Sequence, residues 1–170
     1  MRRVSYRVLM VCMGNICRSP TAEGVLRSRL AARGLAGQVE VDSAGTHGWH
    51  GGAPPDYRVQ RHAVRRGYDL SPQRSRAVQA TDFERFDLVL AMDSDNFEHL
   101  EEACPPQHRH KVRRLMEFAR MHRVADVPDP YQGAGADFER VLDLIEDACD
   151  GLVDHLSMKL APRRMEPPAR

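Results

Sequence analysis

Apolar positions along the chain switch repeatedly between two periods. Val8-Leu9-Met10-Val11 is an unbroken apolar run, the pattern of a short strand buried on both faces. Further on, Ala22, Val25, Leu26 and Leu30 recur at helical spacing, with Ser19 suited to the N-cap and Pro20 to the first helical position. The spacing therefore predicts a strand, a loop from Cys12 to Ser19, and a helix. Gly34 to Gly37 turns the chain, and Val39-Glu40-Val41-Asp42-Ser43 alternates as a second strand. A glycine-rich loop, Gly45 to Pro55, precedes a helix read from Asp56 to Arg66 and stopped by Gly67. Ser71 to Ala80 is polar and arginine-rich, and predicts a surface connection. Phe86 to Ala91 reads as a third strand, Ser94 to Glu102 as a helix, and Val112 to Leu115 as a weaker fourth strand. After a loop from Ala125 to Ala136, Phe138, Val141, Leu142, Ile145, Ala148, Cys149, Leu152, Val153 and Leu156 trace one apolar stripe on a long helix.

This alternation predicts an α/β fold: three layers, doubly wound, with a central four-stranded parallel sheet and helices on both faces. Ligands of such sheets bind outside the carboxyl ends of the strands, where the loop after the first strand lies. At 170 residues the chain suits one domain, taken as residues 1–160. Residues 161–170 carry no core pattern and are expected to be disordered. Lys and Arg number 25 against 24 Asp and Glu, a net charge of +1, which gives no reason to invoke nucleic acid or an anionic membrane. The local clusters Arg61-His62 with Arg65-Arg66, and His108 to Arg114, read as solvated faces. No apolar stretch approaches the ~20 residues of a membrane span. Met1-Arg2-Arg3 is basic, but a cleaved leader would remove the strand and loop that follow, so a cytoplasmic protein is expected.

Candidate chemistry gathers in that first loop. A loop between a strand and a helix start turns backbone N–H groups inward and adds the positive end of the helix, which makes an anion cradle. Cys12 lies at its beginning, where the field favours a thiolate. Arg18 lies at its end and offers a planar two-pronged donor matched to two phosphate oxygens. Gly14 and Asn15 both tolerate the left-handed backbone that such a loop needs. The Ser19 hydroxyl can donate to the thiolate while still accepting a capping N–H. A nucleophile at the base of a phosphate cup points to phosphoryl transfer onto sulfur. Cys12 and Cys17 with His47 and His50 could instead form a zinc set, but it would need x4 and x2 spacings and would consume the nucleophile. Cys149, in the apolar stripe, reads as a small core residue, and Cys104, before Pro105-Pro106, reads as a loop residue with no visible partner.

The segment Cys12-Met13-Gly14-Asn15-Ile16-Cys17-Arg18-Ser19-Pro20 resembles the phosphate-binding loop of the low-molecular-weight protein tyrosine phosphatases. Asp42-Ser43-Ala44-Gly45-Thr46, Pro54-Pro55-Asp56-Tyr57-Arg58, Ala91-Met92-Asp93 and Asp129-Pro130-Tyr131 follow in that family's order, so the resemblance spans Arg7 to Leu156. It implies hydrolysis of phosphotyrosine in a protein substrate, and of small aryl phosphates, through a phosphocysteine. Cys12 would be the nucleophile, Arg18 the phosphate clamp and Asp129 the general acid and then base. By pattern alone Asp129 is only a turn residue beside Pro128 and Pro130, with Asp126 as its local competitor. Met13, Gly14, Asn15, Ile16, Cys17 and Ser19 would line the phosphate cup. Trp49 and Tyr131 would wall a slot for a flat phenyl ring, with Ile16 as an apolar floor, although loop aromatics taken alone are as often core plugs. Ser43 would hold Asn15. From spacing alone Cys17 is equally a packing residue or a disulfide partner; the resemblance favours a reversible Cys12–Cys17 disulfide. No cofactor or metal is implied, because Arg18 and the amides supply the positive charge.

Two departures from the family pattern stand out. Pro72 occupies a place where many animal members carry a histidine, so that support for the loop must come from elsewhere. Tyr131 is followed by Gln132 and not by a second tyrosine, against regulation through a phosphorylated tyrosine pair. Arsenate reductase on the same fold needs two further close cysteines, which Cys104 does not provide. In a protein arginine phosphatase the position of Ile16 is typically threonine. A phosphopeptide-binding module would keep the cup without turnover, which the full set of Cys12, Arg18, Ser19 and Asp129 argues against.

Overall fold

A computed structural model describes residues 4–161. The basic start Met1-Arg2-Arg3 and, beyond Ala161, the segment expected to be disordered lie outside the described residues. Strands β1 (Tyr6–Cys12), β2 (Val39–Gly45), β3 (Leu88–Ala91) and β4 (Val112–Arg114) form one parallel sheet in the order β2-β1-β3-β4. Helices α1 (Arg18–Ala32), α2 (Tyr57–Arg65), α3 (Asp82–Arg85), α4 (Ser94–Ala103) and α5 (Gly135–Leu160) flank it, with 3-10 turns at Pro106–Lys111 and Leu115–Phe118. The chain leaves β1 for β2 on one side and returns to β3 on the other. That reversal opens a crevice at the carboxyl end of β1, the expected ligand position in this architecture.

The unbroken apolar run of β1 has its explanation in two cores. Val8, Met10 and Cys12 face the core beneath α1 and α5, while Leu9 and Val11 face a second core with Phe83, Phe86 and Leu100. A strand covered on both faces cannot alternate. All nine residues of the apolar stripe on α5 are buried, each large one contributing about 1.5–3 kcal/mol. Cys149 is among them, and burial pushes its thiol up. Gly67 stops the α2 segment with φ +90°, as its position predicts.

Two expectations need correction. First, α1 begins at Arg18 with Cys17 at the cap, so Ser19 does not cap it and Pro20 lies inside the first turn. The Ser19 hydroxyl is engaged elsewhere, and the absent N–H of Pro20 would in any case have had no helical partner. Second, the segment Ser71 to Ala80 is more than a surface connection, because Ser75 is buried and Ala77 bridges Gly45 at the sheet edge. Cys104 follows α4 as its C-cap, in the connection before Pro105-Pro106, and is buried in the second core. The short helix α3 was not predicted, being a single turn with too few positions to show a period.

The route to the Asp129 loop starts on α5. Asp147 accepts backbone N–H groups from Arg120 (3.0 Å), Met121 (3.1 Å) and His122 (2.8 Å). Beside it, a Cβ on Gly151 would come within 1.8 Å of the Phe118 carbonyl, so only glycine allows this approach. Burial alone would raise the Asp147 carboxyl, but these N–H groups and His122 hold it below the usual carboxylate range. A depressed folded value stabilises above the unfolded value of about 4 and is lost as pH falls through and below it. Asp147→Asn should therefore cost about 1–3 kcal/mol in denaturant unfolding at pH 7. The gap from wild type should close as the pH is lowered past the ordinary carboxylate range; a gap independent of pH would contradict the charged anchor.

Candidate active site

Cys12 ends β1, and the five residues Met13 to Cys17 curl back to the first turn of α1. The loop is shaped by where its carbonyls go. Those of Cys12 and Met13 accept N–H groups of Thr46 (2.9 Å) and His47 (3.0 Å), and that of Ile16 accepts Asp56 N–H (2.8 Å). The Gly14 carbonyl takes the Ser75 hydroxyl (3.0 Å), and the Cys17 carbonyl takes Thr21 Oγ1 (2.8 Å). With these oxygens bonded to neighbouring segments, the N–H groups of the loop have no backbone acceptor among the described residues and are left for a ligand. Such a ring of donors beside a helix N-terminus suits an oxyanion.

Asn15 is the one described non-glycine residue in the left-handed region, with φ +56°. Its side chain offsets that strain. Nδ2 donates to Ser19 Oγ (2.8 Å) and Ser43 Oγ (3.0 Å), and Oδ1 accepts the Arg76 N–H (3.0 Å). Gly45 passes so close that a Cβ there would lie 2.7 Å from the Met13 carbonyl oxygen. Support for the loop thus comes from Ser43, Ser75 and Arg76, without the histidine that Pro72 replaces.

At the base of the cup, Cys12 Sγ lies 3.0 Å from Ser19 Oγ, and either can donate. Arg18 is only 2 % exposed. Its guanidinium donates to Asp93 Oδ2 (2.5 Å) and to the Val127 carbonyl (3.0 Å), and lies 3.7 Å from Asp129 Oδ2. Burial opposes its charge, but Cys12, Asp93 and Asp129 hold it firmly protonated. Asp129 is 42 % exposed and accepts the Tyr131 N–H (3.1 Å). Its competitor Asp126 is committed to Ser94, through N–H (3.0 Å) and hydroxyl (2.9 Å).

A cavity of about 290 Å³ stands over this base, lined by Cys12, Arg18 and Asp129 below and by Trp49 and Tyr131 at the mouth. Met13, Gly14, Ile16 and Cys17 complete the loop side, with His50 and Gln132 at the edge. Trp49 is 68 % exposed, so it is no core plug. Its ring stacks on His47 at 4.3 Å. Tyr131 rests on the Arg58 guanidinium at 5.5 Å, and Arg58 also donates to the Tyr131 carbonyl (2.8 Å). Cys17 is buried beneath the loop, and burial together with Asp56 and Cys12 pushes its thiol up.

Of the site residues named from sequence, Cys12, Met13, Gly14, Ile16, Cys17, Arg18, Trp49, Asp129 and Tyr131 line one cavity and Asn15, Ser19 and Ser43 form the hydrogen-bond network behind it, while several neighbours were missed. Asp93 stood only within the Ala91-Met92-Asp93 motif, with no role; it caps α4 by accepting the Asn96 N–H (2.7 Å) and holds Arg18 through its second oxygen. Ser75 and Arg76 reach the site across long sequence separations and carry no local signal, while Arg58 stood only within the Pro54–Arg58 motif and His50 only in the zinc set, neither with this role.

A doubly wound α/β protein with a thiol at the base of an anion cup is thereby defined. The chain belongs to the low molecular weight phosphotyrosine protein phosphatase family, whose profile matches residues 7–161. A low molecular weight protein-tyrosine-phosphatase of Streptomyces coelicolor is 42 % identical over 153 residues, covering 88 % of this chain and 93 % of its own length. YfkJ, the corresponding protein of Bacillus subtilis, is 39 % identical over 146 residues, with 86 % of this chain and 92 % of its own covered. The crystal structure of a protein tyrosine phosphatase from Entamoeba histolytica, with Hepes in the active site, superposes with a TM-score of 0.89 at 39 % identity, covering 91 % of this chain and 99 % of that one.

Removing Asp93 should expose how the arginine is held. Asp93→Ala strands a buried guanidinium, and losing one partner of a buried pair costs about 3–5 kcal/mol. Inorganic phosphate should recover more stability in the variant than in wild type, because it restores an anion beside Arg18. Thermal melts with and without phosphate measure both effects, and equal gains in the two proteins would contradict this account.

Proposed function

We propose that the protein hydrolyses phosphotyrosine in protein substrates, and small aryl phosphates, through a phosphocysteine. The observation that carries this reading is the meeting of Cys12, Arg18 and Asp129 in one cavity with an aromatic mouth, with Ser19 bonded to Cys12 behind it. Cys12 Sγ attacks phosphorus as the thiolate, which the Ser19 hydroxyl supports. The loop N–H groups and Arg18 take up the charge on the three equatorial oxygens. Asp129 protonates the leaving phenolate as the P–O bond breaks. Water, deprotonated by the same Asp129, then attacks the phosphocysteine, releasing phosphate and restoring the thiolate. Trp49 and Tyr131, braced by His47 and Arg58, sandwich the ring.

The depth of the cup favours an aryl ester, since the short chains of phosphoserine and phosphothreonine hold phosphorus too near the peptide backbone. Ile16 and the aromatic walls suit a phenyl ring better than a phosphoguanidinium. Cys104 and Cys149 are both buried in the cores, which leaves an arsenate reductase without its resolving thiols. Among the described residues no helix is long and apolar enough to cross a membrane.

Cys12→Ser should abolish turnover, and Arg18→Lys should come close to it, because a point charge cannot replace the two-pronged donor. Asp129→Asn should lose about 10²–10⁴ in rate on phosphotyrosine, whose leaving group needs the proton. On p-nitrophenyl phosphate, with its more stable leaving group, the loss should be smaller. Steady-state rates on the two substrates decide; equal losses would remove Asp129 from the acid's role.

Oxidation gives a second reading of the same pair of sulfurs. Peroxide converts the Cys12 thiolate to a sulfenic acid, and the Cys17 thiol can condense with it, forming a disulfide and releasing water. Wild type inactivated by peroxide should then recover with a thiol reductant, whereas Cys17→Ser should not. Full recovery of Cys17→Ser, or a Cys12–Cys104 bond in mass spectra, would refute the protective role.

A further inference from the structure

The basic cluster on α2 is not an undifferentiated solvated face. Tyr57, Arg61 and Arg65 follow one another at helical spacing and are all exposed. Arg61 lies over the Tyr57 ring at 5.5 Å. Their neighbours are neutralised: Arg58 pairs with Asp56, and Arg66 with Glu139, Asp143 and Glu146. Arg61 and Arg65 have no carboxylate within ion-pair distance among the described residues. The stripe therefore carries uncompensated positive charge in a chain whose overall charge is nearly balanced.

That charge borders a second cavity, of about 210 Å³, walled by Arg58, Arg61, His62 and Phe138 and by the backbone from Gly133 to Gly135. It adjoins the catalytic cavity. Tyr131 and Gln132 line one, Gly133 the other, and Arg58 stands between them, bonded to the Tyr131 carbonyl. Two carboxylates approach this cavity, and both are occupied. Asp137 accepts the Ala134 N–H (2.8 Å) and so closes the start of α5, while Glu139 is held by Arg66 (2.9 Å) and lies 3.4 Å from His62. An anion entering here meets Arg61 and the edge of His62, not helix amides.

We propose that this cavity and the Arg61–Arg65 stripe form a subsite for an acidic side chain of the phosphopeptide itself. The occupant is a Glu or Asp on the Tyr131 side of the phosphotyrosine. At about 3.3–3.6 Å of extended chain per residue, adjoining cavities correspond to a separation of about two to four residues. The subsite rests on the phosphatase reading, since the phosphotyrosine in the slot fixes where the flanking residues fall. It ranks substrates by sequence, a property that the small cup cannot supply. Its contribution should be modest and sensitive to salt, as for exposed charge pairs.

The test uses short peptides with one phosphotyrosine and Glu, Ala or Lys placed in turn at positions up to four residues on either side. Wild type, Arg61→Glu and Arg65→Glu are compared by kcat/KM, with p-nitrophenyl phosphate as the control. For wild type, Glu at the favoured position should exceed Ala by about 2–5-fold, mainly through KM, with Lys below both, and the spread should collapse in high salt. Arg61→Glu should invert the order, Arg65→Glu should flatten it, and both should keep the wild-type rate on p-nitrophenyl phosphate. The same order of peptides in wild type and both variants, or no order in wild type, would overturn the subsite. A wild type inactive on p-nitrophenyl phosphate would instead overturn the phosphatase reading.

Discussion

The Arg18 guanidinium is almost wholly removed from water, and a cation so placed is tolerated only when its partners are fixed around it. Those partners come from two separate parts of the chain: Asp93 at the start of α4, and the loop that carries the Val127 carbonyl and Asp129. Each lies on a segment that follows β3 or leads into α5. The arginine therefore joins the phosphate loop of the first strand to the acid-bearing loop on the far side of the crevice. Arg18 also lines the cavity, so in the proposed reaction the group that would receive substrate phosphate is the one beside the proposed acid.

The phosphate loop obeys a complementary constraint. A backbone unit has one donor and one acceptor, and a loop that offers its donors to a ligand must satisfy its acceptors elsewhere. Here Thr46, His47, Asp56, Ser75 and Thr21 take the carbonyls. The strained Asn15 is locked by Ser19, Ser43 and Arg76. The cost of that conformation is met by contacts made only when β2 and the segment after α2 are in place. A preorganised cup of this kind lets charge develop in the transition state without reorganising its surroundings.

Around this rigid base the mouth is exposed and differentiated. Trp49 leans on His47, Tyr131 leans on Arg58, and the same Arg58 divides the catalytic cavity from its basic neighbour. The buried end is where several elements converge. In the proposed reading, discrimination between substrates falls to the exposed rim, built from side chains on α2 and two loops.

The sequence by itself determined the alternation of strands and helices, because periods of two and near four are local properties that need no partner. It also marked Cys12, Arg18, Gly14 and Asn15, whose spacing falls within one loop, and the apolar stripe of α5, buried throughout. What only the tertiary structure decided are the contacts between residues distant in the chain. Ser19 looked like a helix cap because its local rules suit one, but α1 starts one residue earlier, and the hydroxyl is engaged by Cys12 Sγ and by Asn15 Nδ2, which donates to it. Asp93 caps α4 through one oxygen and gives its other to an arginine 75 positions away. Arg61 and Arg65 read as a solvated face until the fold set Arg61 against the cavity that Arg58 also lines. Local spacing encodes which element forms; which charges end up facing one another depends on how the elements cross, and no window along the chain contains that.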